Sequence, residues 1–341
     1  MATNAVPGPG HTCQPDGRTA RKGQTAIPQP PPHTILAPED DLELQQVLQW
    51  LQARPDLEAE LRNAILDAIN YVIEGSITGR FYLYDPEVDS DERSSVGTKL
   101  QYRLLRALGL PKQKPLDTVI TGIPVEVKTT IRDSWMIPTE SQCEICLLIK
   151  IDAVADHFYA SIMRAHRVWL RDGANKDGKR SFTSDAVKRF RTPVVDGPLP
   201  RNPLRDLTED QLAVVFGRGG IKKRLTAFFG YMPHTVVPRY VIETIGLGAK
   251  DPLRRARQAK PDILAEHHLV LLCGTWQVDC TAAASIGYEL EETDWVAVDP
   301  AKIPGELLEK VLERIKELPA PASVKAELPD SPEQAQAQTQ P

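Results

Sequence analysis

No apolar run of roughly 18 residues or more occurs in this chain of 341 residues, which excludes a transmembrane helix. No charged n-region followed by an apolar stretch opens it, so no secretory leader is expected. Cysteine is scarce. The five present are an odd count, thinly spread, which points to a reducing cytoplasm. Net charge is also small, at −5, and on its face argues against a nucleic-acid partner. The distribution says otherwise. Phe158 to Lys260 carries 21 Lys/Arg against 9 Asp/Glu, a net of +12, leaving −17 for the remainder. A basic region between acidic ends is the footprint of a polyanion binder.

Cys143 and Cys146 form a C-x-x-C, and Cys273 with Cys280 could in principle complete a four-thiolate zinc site. The plainer reading is preferred. Cys146 lies inside the apolar run Ile145-Cys146-Leu147-Leu148-Ile149, where cysteine behaves as a small buried hydrophobe, and the second pair is too widely spaced.

Residues 1–36, rich in Pro, Gly, Thr and Gln, predict a disordered arm. A first domain is expected over 37–193. Leu42, Leu44, Val47, Leu48 and Leu51, then Leu61, Ile65, Ile69 and Val72, recur at helical spacing, with Pro55 in the break between two helices. A third helix is expected from Gly97 to Leu108, closed by Gly109. Strands follow over 116–128, Ile145–Ile151 and Tyr159–Ile162, so the plan is α/β around a short mixed sheet. Residues 172–180 read as a cationic loop and 194–203, rich in proline, as a linker. A second domain is expected over 204–318. Thr208 and Gln211 form a capping box, helices cover 209–216, 220–229, 237–246 and 251–259, and strands follow at Leu269–Cys273 and Trp295–Val298. Short helices followed by a small β-wing are a winged helix-turn-helix pattern. Residues 319–341 predict a disordered acidic tail.

Arg254, Arg255 and Arg257 on the last helix suit phosphates and guanine edges. Lys179, Arg180, Lys222, Lys223 and Arg239 are further candidate DNA contacts. Trp135, Trp169 and Trp276 are read as packing residues rather than base-stacking platforms.

The chemistry-bearing segment is Leu116-Asp117-Thr118-Val119-Ile120-Thr121-Gly122-Ile123-Pro124-Val125-Glu126-Val127-Lys128. It reads as two apolar strands joined at Gly122. Because side chains alternate along a strand, Glu126 and Lys128 share a face that Val125 and Val127 do not. Two carboxylates and an ammonium are what a Mg²⁺-dependent phosphodiester nuclease needs: the acids hold a hard cation and the lysine handles the attacking water. A solvated hairpin with a surface salt bridge remains the alternative from spacing alone.

Several segments carry a resemblance to a known family: Pro38-Glu39-Asp40-Asp41-Leu42-Glu43, Thr78-Gly79-Arg80, Gly97-Thr98, the acid–acid–lysine hairpin, and Ser134-Trp135-Met136-Ile137-Pro138-Thr139-Glu140-Ser141 with Ile145-Cys146-Leu147. Looser matches lie at Pro238–Ile242, Leu253–Arg257 and Trp295–Val298. The chain resembles the NaeI-type restriction endonucleases from about Pro38 to about Pro300. The resemblance implies an endonuclease domain followed by a winged-helix domain, double-stranded DNA as substrate, and a homodimer holding two recognition sites, one cleaved and one an effector. It implies Mg²⁺ on Asp117, Glu126 and the Val127 carbonyl, with Lys128 at the water and products bearing a 5′-phosphate and a 3′-hydroxyl. It also implies a further carboxylate on the helix before the hairpin, where this chain has Gln101. A glutamine brings a carbonyl but no charge, which weakens a second metal more than the first. Asp91 and Glu92 are possible substitutes. Two alternatives stay open: a nicking or modification-sensing endonuclease, and a DNA-binding regulator with a decayed nuclease domain.

Overall fold

The structure, a computed structural model, describes residues 5–15 and 31–318. The chain divides into two compact units: Met1–Ile73 with Tyr82–Arg201, and Glu74–Phe81 with Asn202–Pro341. Residues 1–4 and 16–30 of the expected arm, and the expected tail 319–341, lie outside the described residues.

In the first unit, β1 (Thr12–Cys13) pairs antiparallel with β2 (His33–Thr34). Cys13 and Ile35 are fully buried, so the described part of the expected arm is packed rather than free. Helix α1 (Leu42–Gln52) starts where the Asp41 carboxylate accepts the Leu44 N–H at 3.1 Å. Its Leu44, Val47, Leu48 and Leu51 bury one stripe. Helix α2 (Leu57–Ile73) follows just after Pro55. Next comes α3 (Gly75–Thr78), which belongs to the second unit, and then α4 (Ser90–Ala107). The Asp89–Glu92 capping box starts α4 at Ser90, seven residues before the expected start at Gly97.

Strands β3 (Thr118–Ile120) and β4 (Ile123–Thr130) form the expected hairpin. Its two turn residues both have positive φ, 52° at Thr121 and 86° at Gly122, as a tight primed turn requires. After β5 (Met136–Ile137) come β6 (Ile145–Asp152) and β7 (His157–Arg164), then β8 (Arg180–Ser181), α5 (Ser184–Phe190) and β9 (Thr192–Pro198). The main sheet has the order β3-β4-β6-β7-β9, parallel only between β4 and β6. β9 corrects the expected linker at 194–203: its prolines sit on an edge strand, where a missing N–H costs no ladder bond. Helices α1, α2 and α4 pack on one face of the sheet, burying Val125, Val127, Ile145 and Leu147 beneath them. The other face carries a second cluster that includes Trp135, Cys146, Leu148, Met163 and Trp169.

The second unit contains α6 (Glu209–Val215), α7 (Ile221–Tyr231), α8 (Arg239–Gly246) and α9 (Pro252–His267). Thr208 and Gln211 make the expected capping box. β10 (Val270–Cys273) pairs antiparallel with β11 (Trp295–Val298). The sequence pattern missed α10 (Gln277–Ser285), which lies between these two strands, and α11 (Gly305–Lys316) beyond them. The two strands are therefore not joined by a simple wing loop. α3 packs against α8.

Lys260 and Asp279 are both fully buried and form an ion pair in this unit. Asp279 also accepts the Cys273 N–H at 2.9 Å, and the Lys260 ammonium lies 4.1 Å from the Trp276 ring centroid. Removing one partner strands a buried charge, which costs about 3–5 kcal/mol, whereas replacing both with apolar residues costs far less. Denaturant unfolding followed by tryptophan fluorescence should therefore show Asp279→Ala losing much more stability than the double variant Lys260→Met/Asp279→Leu. Equal losses would contradict this account of the pair.

Candidate functional site

Asp117 stands one residue before β3 and joins three pieces of the first unit. Its Oδ2 accepts the Val127 backbone N–H at 2.9 Å. Its Oδ1 accepts the Gln101 side-chain amide from α4. The hairpin is thus closed beyond its ladder, and α4 is tied to it. Val125 and Val127 point under the helices, so alternation sends Glu126 and Lys128 to the opposite face, as the spacing predicts. There Glu126 is only 5% exposed and pairs with Lys128. A surface salt bridge would not be buried to this degree, so the solvated-hairpin reading fails on geometry.

The electrostatics explain why such a group is costly. Burial pushes the Glu126 carboxyl up, Lys128 pulls it down, and the Asp117 charge pushes it up again, leaving it above its ordinary value. The fully buried Ser141 also favours the charged form, although its hydroxyl has no partner at hydrogen-bonding geometry. Beside Glu126, in register on β6, the fully buried Cys146 has its thiol held well above the ordinary range, first by burial and then by the Glu126 charge. Two carboxylates with one ammonium leave a net negative charge in a poorly solvated place. A divalent cation with oxygen preference would relieve it, so the residues fit a hard metal ion.

The structure also gives the Trp135-Met136-Ile137-Pro138 string a role that no chemistry suggested. Trp135 is buried and donates to the Ile149 carbonyl at 3.0 Å. Met136 and Ile137 form β5, and Pro138 leads into the single turn Thr139–Ser141. The string therefore delivers Ser141 to Glu126. Asp91 and Glu92 do not stand in for the missing carboxylate. They lie in the first turn of α4, with Glu92 in its capping box, about 14 Å along the helix axis from Gln101.

The candidate DNA contacts separate on inspection. Arg180 is buried and donates to the Arg171 carbonyl at 2.6 Å, so, contrary to the expectation of a DNA contact, it holds its own loop. Lys179 is half-buried. Lys222 pairs with Asp262 at 2.5 Å and Arg239 with Glu243 at 2.6 Å. Lys223, Arg254 and Arg255 are exposed, and Arg257 is half-buried. Arg254 and Arg255 stand in the first two turns of α9, which follows α8 across a short turn. Part of the basic excess is therefore interior, Lys260 included. Trp135 and Trp169 are core residues, as expected, and Trp276 is half-buried between the Lys260 and Arg314 cations, at 4.1 and 4.3 Å.

One cluster escaped the sequence altogether. Cys13, His33, Cys143 and His166 bring their ligand atoms within 4.8 Å of one another. The C-x-x-C includes Cys143, but the other cysteines weighed with it lie elsewhere. Cys146 serves the Glu126 face, while Cys273 and Cys280 belong to the other unit. Only the fold unites residues so far apart; Cys13 and Cys143 are separated by 130 positions.

A family model described as Restriction endonuclease NaeI matches residues 47–299, most of the chain. No curated protein matches it. The matched span contains Asp117, Glu126, Lys128 and Gln101. The five-stranded mixed sheet fits a restriction-endonuclease-like fold.

Gln101 makes a sharp prediction. In Gln101→Glu a third carboxylate replaces a donor to Asp117. Without divalent ions the like charges should lower thermal stability by about 1–3 kcal/mol. With Ca²⁺ or Mn²⁺ the variant should bind metal more tightly than wild type, by calorimetric titration. Unchanged metal affinity would mean that Gln101 does not face the metal position.

Proposed function

The chain belongs to the NaeI restriction endonuclease family, which makes it a type II site-specific DNA endonuclease, and on that premise we propose how it cuts. The first unit hydrolyses phosphodiesters of double-stranded DNA at the β3–β4 hairpin. The observation that carries this reading is the burial of Glu126 beside Lys128, on a hairpin whose other acid, Asp117, is clamped to the Val127 amide. A Mg²⁺ ion held by Asp117, Glu126 and the Val127 carbonyl would supply Lewis acidity toward the phosphate and acidify a bound water. The chain supplies the rest. Asp117, fixed by two donors, keeps its carboxylate in place without reorganising. Glu126 brings a carboxylate whose charge is disfavoured by burial and by the Asp117 charge, which a bound cation would offset. Lys128, about a quarter exposed, can reach a phosphate oxygen, orient the attacking water and offset charge on the phosphorane-like transition state. In-line attack leaves a 5′-phosphate and a 3′-hydroxyl.

The second unit is the DNA-reading part in this proposal. α8 and α9 form a helix-turn-helix pair, and the exposed Arg254 and Arg255 stand near the N-terminus of the second helix, where recognition helices meet base edges. We read it as a winged-helix variant with α10 inserted in the wing. One catalytic hairpin per chain cuts one strand, and the strands of a duplex run antiparallel, so a double-strand break calls for a two-fold homodimer. Binding of two sites, one cleaved and one effector, belongs to the same proposal. The free cysteines suit a reducing, cytoplasmic setting in restriction-modification defence. Among the described residues no helix is long and apolar enough to cross a membrane. Gln101 favours one specific alternative, a nicking enzyme, since a site with fewer carboxylates holds a second metal poorly.

With supercoiled plasmid and Mg²⁺, wild type should give linear product, while Asp117→Ala and Glu126→Ala should lose about three orders of magnitude in rate. Both should still shift DNA in a gel with Ca²⁺. Equal cutting by wild type and Asp117→Ala refutes the site, and open circles as the end product select the nicking reading. Replacing Arg254 and Arg255 by alanine should weaken DNA binding and reduce the slope of log affinity against log salt by about 1 for each phosphate no longer neutralised. An unchanged slope would remove α9 from the interface.

A further inference from the structure

Away from the hairpin, four side chains of the first unit converge on one point. Cys13 comes from β1, His33 from β2, Cys143 from the loop before β6, and His166 from just beyond β7. Cys13, Cys143 and His166 are buried, and His33 is half-buried. The two Sγ atoms are 3.5 Å apart, and His33 Nε2 lies 2.7 Å from His166 Nδ1. All four ligand atoms fall within 4.8 Å of one another. A tetrahedral Zn²⁺ with bonds of about 2.3 Å to sulfur and 2.0–2.1 Å to nitrogen needs ligand atoms roughly 3.3–3.8 Å apart. The side chains are therefore within a small adjustment of that geometry.

The surroundings hold the ligands in place. His33 Nδ1 lies 3.3 Å from the Pro31 carbonyl, the usual outer partner of a ligating imidazole, which leaves Nε2 for the metal. The Cys143 N–H donates to the Ala165 carbonyl at 2.8 Å, binding the Cys143 loop to the residue before His166. Trp169 packs edge-on to the His166 ring at 4.4 Å. The buried Arg167 donates through Nε to the Gln14 carbonyl at 2.5 Å, fixing the residue after Cys13 and placing a positive charge next to the sulfurs. A pocket of about 570 Å³, lined in part by His33, Cys143 and His166, gives an ion access from solvent.

We infer that Cys13, Cys143, His33 and His166 form a structural Zn²⁺ site that clips the N-terminal segment onto the end of the sheet where β6 begins and β7 finishes. Soft thiolates with imidazoles select zinc over the hard ion expected at the hairpin, and four protein ligands leave no open position for substrate, so the site is structural rather than catalytic. A disulfide between Cys13 and Cys143 would account for neither histidine, and the sulfurs stand well beyond a bonded distance of about 2.05 Å. The inference does not depend on the nuclease reading.

The test is the metal content of the full-length, tag-free protein by plasma mass spectrometry. Wild type should carry about one zinc per chain. Glu126→Gln and Cys280→Ser should keep it, while Cys143→Ser and His166→Asn should lose most of it. Because those last two variants could misfold, a second arm uses wild type alone. After chelation, refilling with Co²⁺ should give the sulfur charge-transfer and tetrahedral d–d bands of a mixed thiolate–imidazole site. Zinc-free wild type that shows no such bands on refilling overturns the inference. So does a Cys13–Cys143 disulfide found by peptide mapping, or zinc retained in both ligand variants.

Discussion

The Asp117 carboxylate accepts one N–H from the facing strand and one from a helix, and the arrangement of the acidic face of the hairpin depends on that pair of hydrogen bonds. Val127 lies beyond the Thr118–Val125 pair, before β3 begins, so Asp117 supplies the partner its amide lacks in the ladder, and Gln101 reaches the same carboxylate from α4. Asp117 joins both at the open end of the hairpin, away from the Thr121–Gly122 turn. Strand alternation then leaves no freedom: with Val125 and Val127 buried under α4, Glu126 and Lys128 face the other way, against Ser141 and Cys146. The parallel pairing of β4 with β6 extends this constraint, because it places the Ile145–Asp152 strand directly beside the acid.

The same bonds show what already holds the two carboxylates. Asp117 accepts from two nitrogen donors and Glu126 pairs with a lysine, so the hairpin's charges all have partners within the chain. Turning the Gln101 amide over would present its carbonyl instead of its N–H to the same place, exchanging a donor for a neutral ligand. That suits one well-held cation better than two. Burial raises the Glu126 carboxyl above its ordinary value, against the pull of Lys128.

Much of this was legible in the sequence, for local reasons. The hairpin, α1, α2 and the helices of the second unit announce themselves through short-range periodicity, caps and Pro55, and the acids stood out because they interrupt apolar strands. What was not legible depends on contacts between distant segments. β9 looked like a linker because its prolines break the strand pattern, and only its edge position permits them. The start of α4 was misplaced because a polar first turn has no apolar stripe to read. Residues Glu74–Phe81 fold with the second unit although they sit between helices of the first, which no local pattern encodes. Arg180 looked like a DNA contact by charge alone, and its burial comes from a loop closing over it. Cys13, His33, Cys143 and His166 share neither spacing nor a common element, so the C-x-x-C at Cys143 pointed away from its true neighbours.

The central claim is that the β3–β4 hairpin is the place where the hydrolytic metal binds. Crystals of the protein with a duplex and Mn²⁺, measured at the manganese edge, test it most directly. The account predicts an anomalous peak between the Asp117 and Glu126 carboxylates, touching the Val127 carbonyl, with Lys128 toward the scissile phosphate. Cleaved DNA in the crystal with manganese bound elsewhere and none at the hairpin would contradict it.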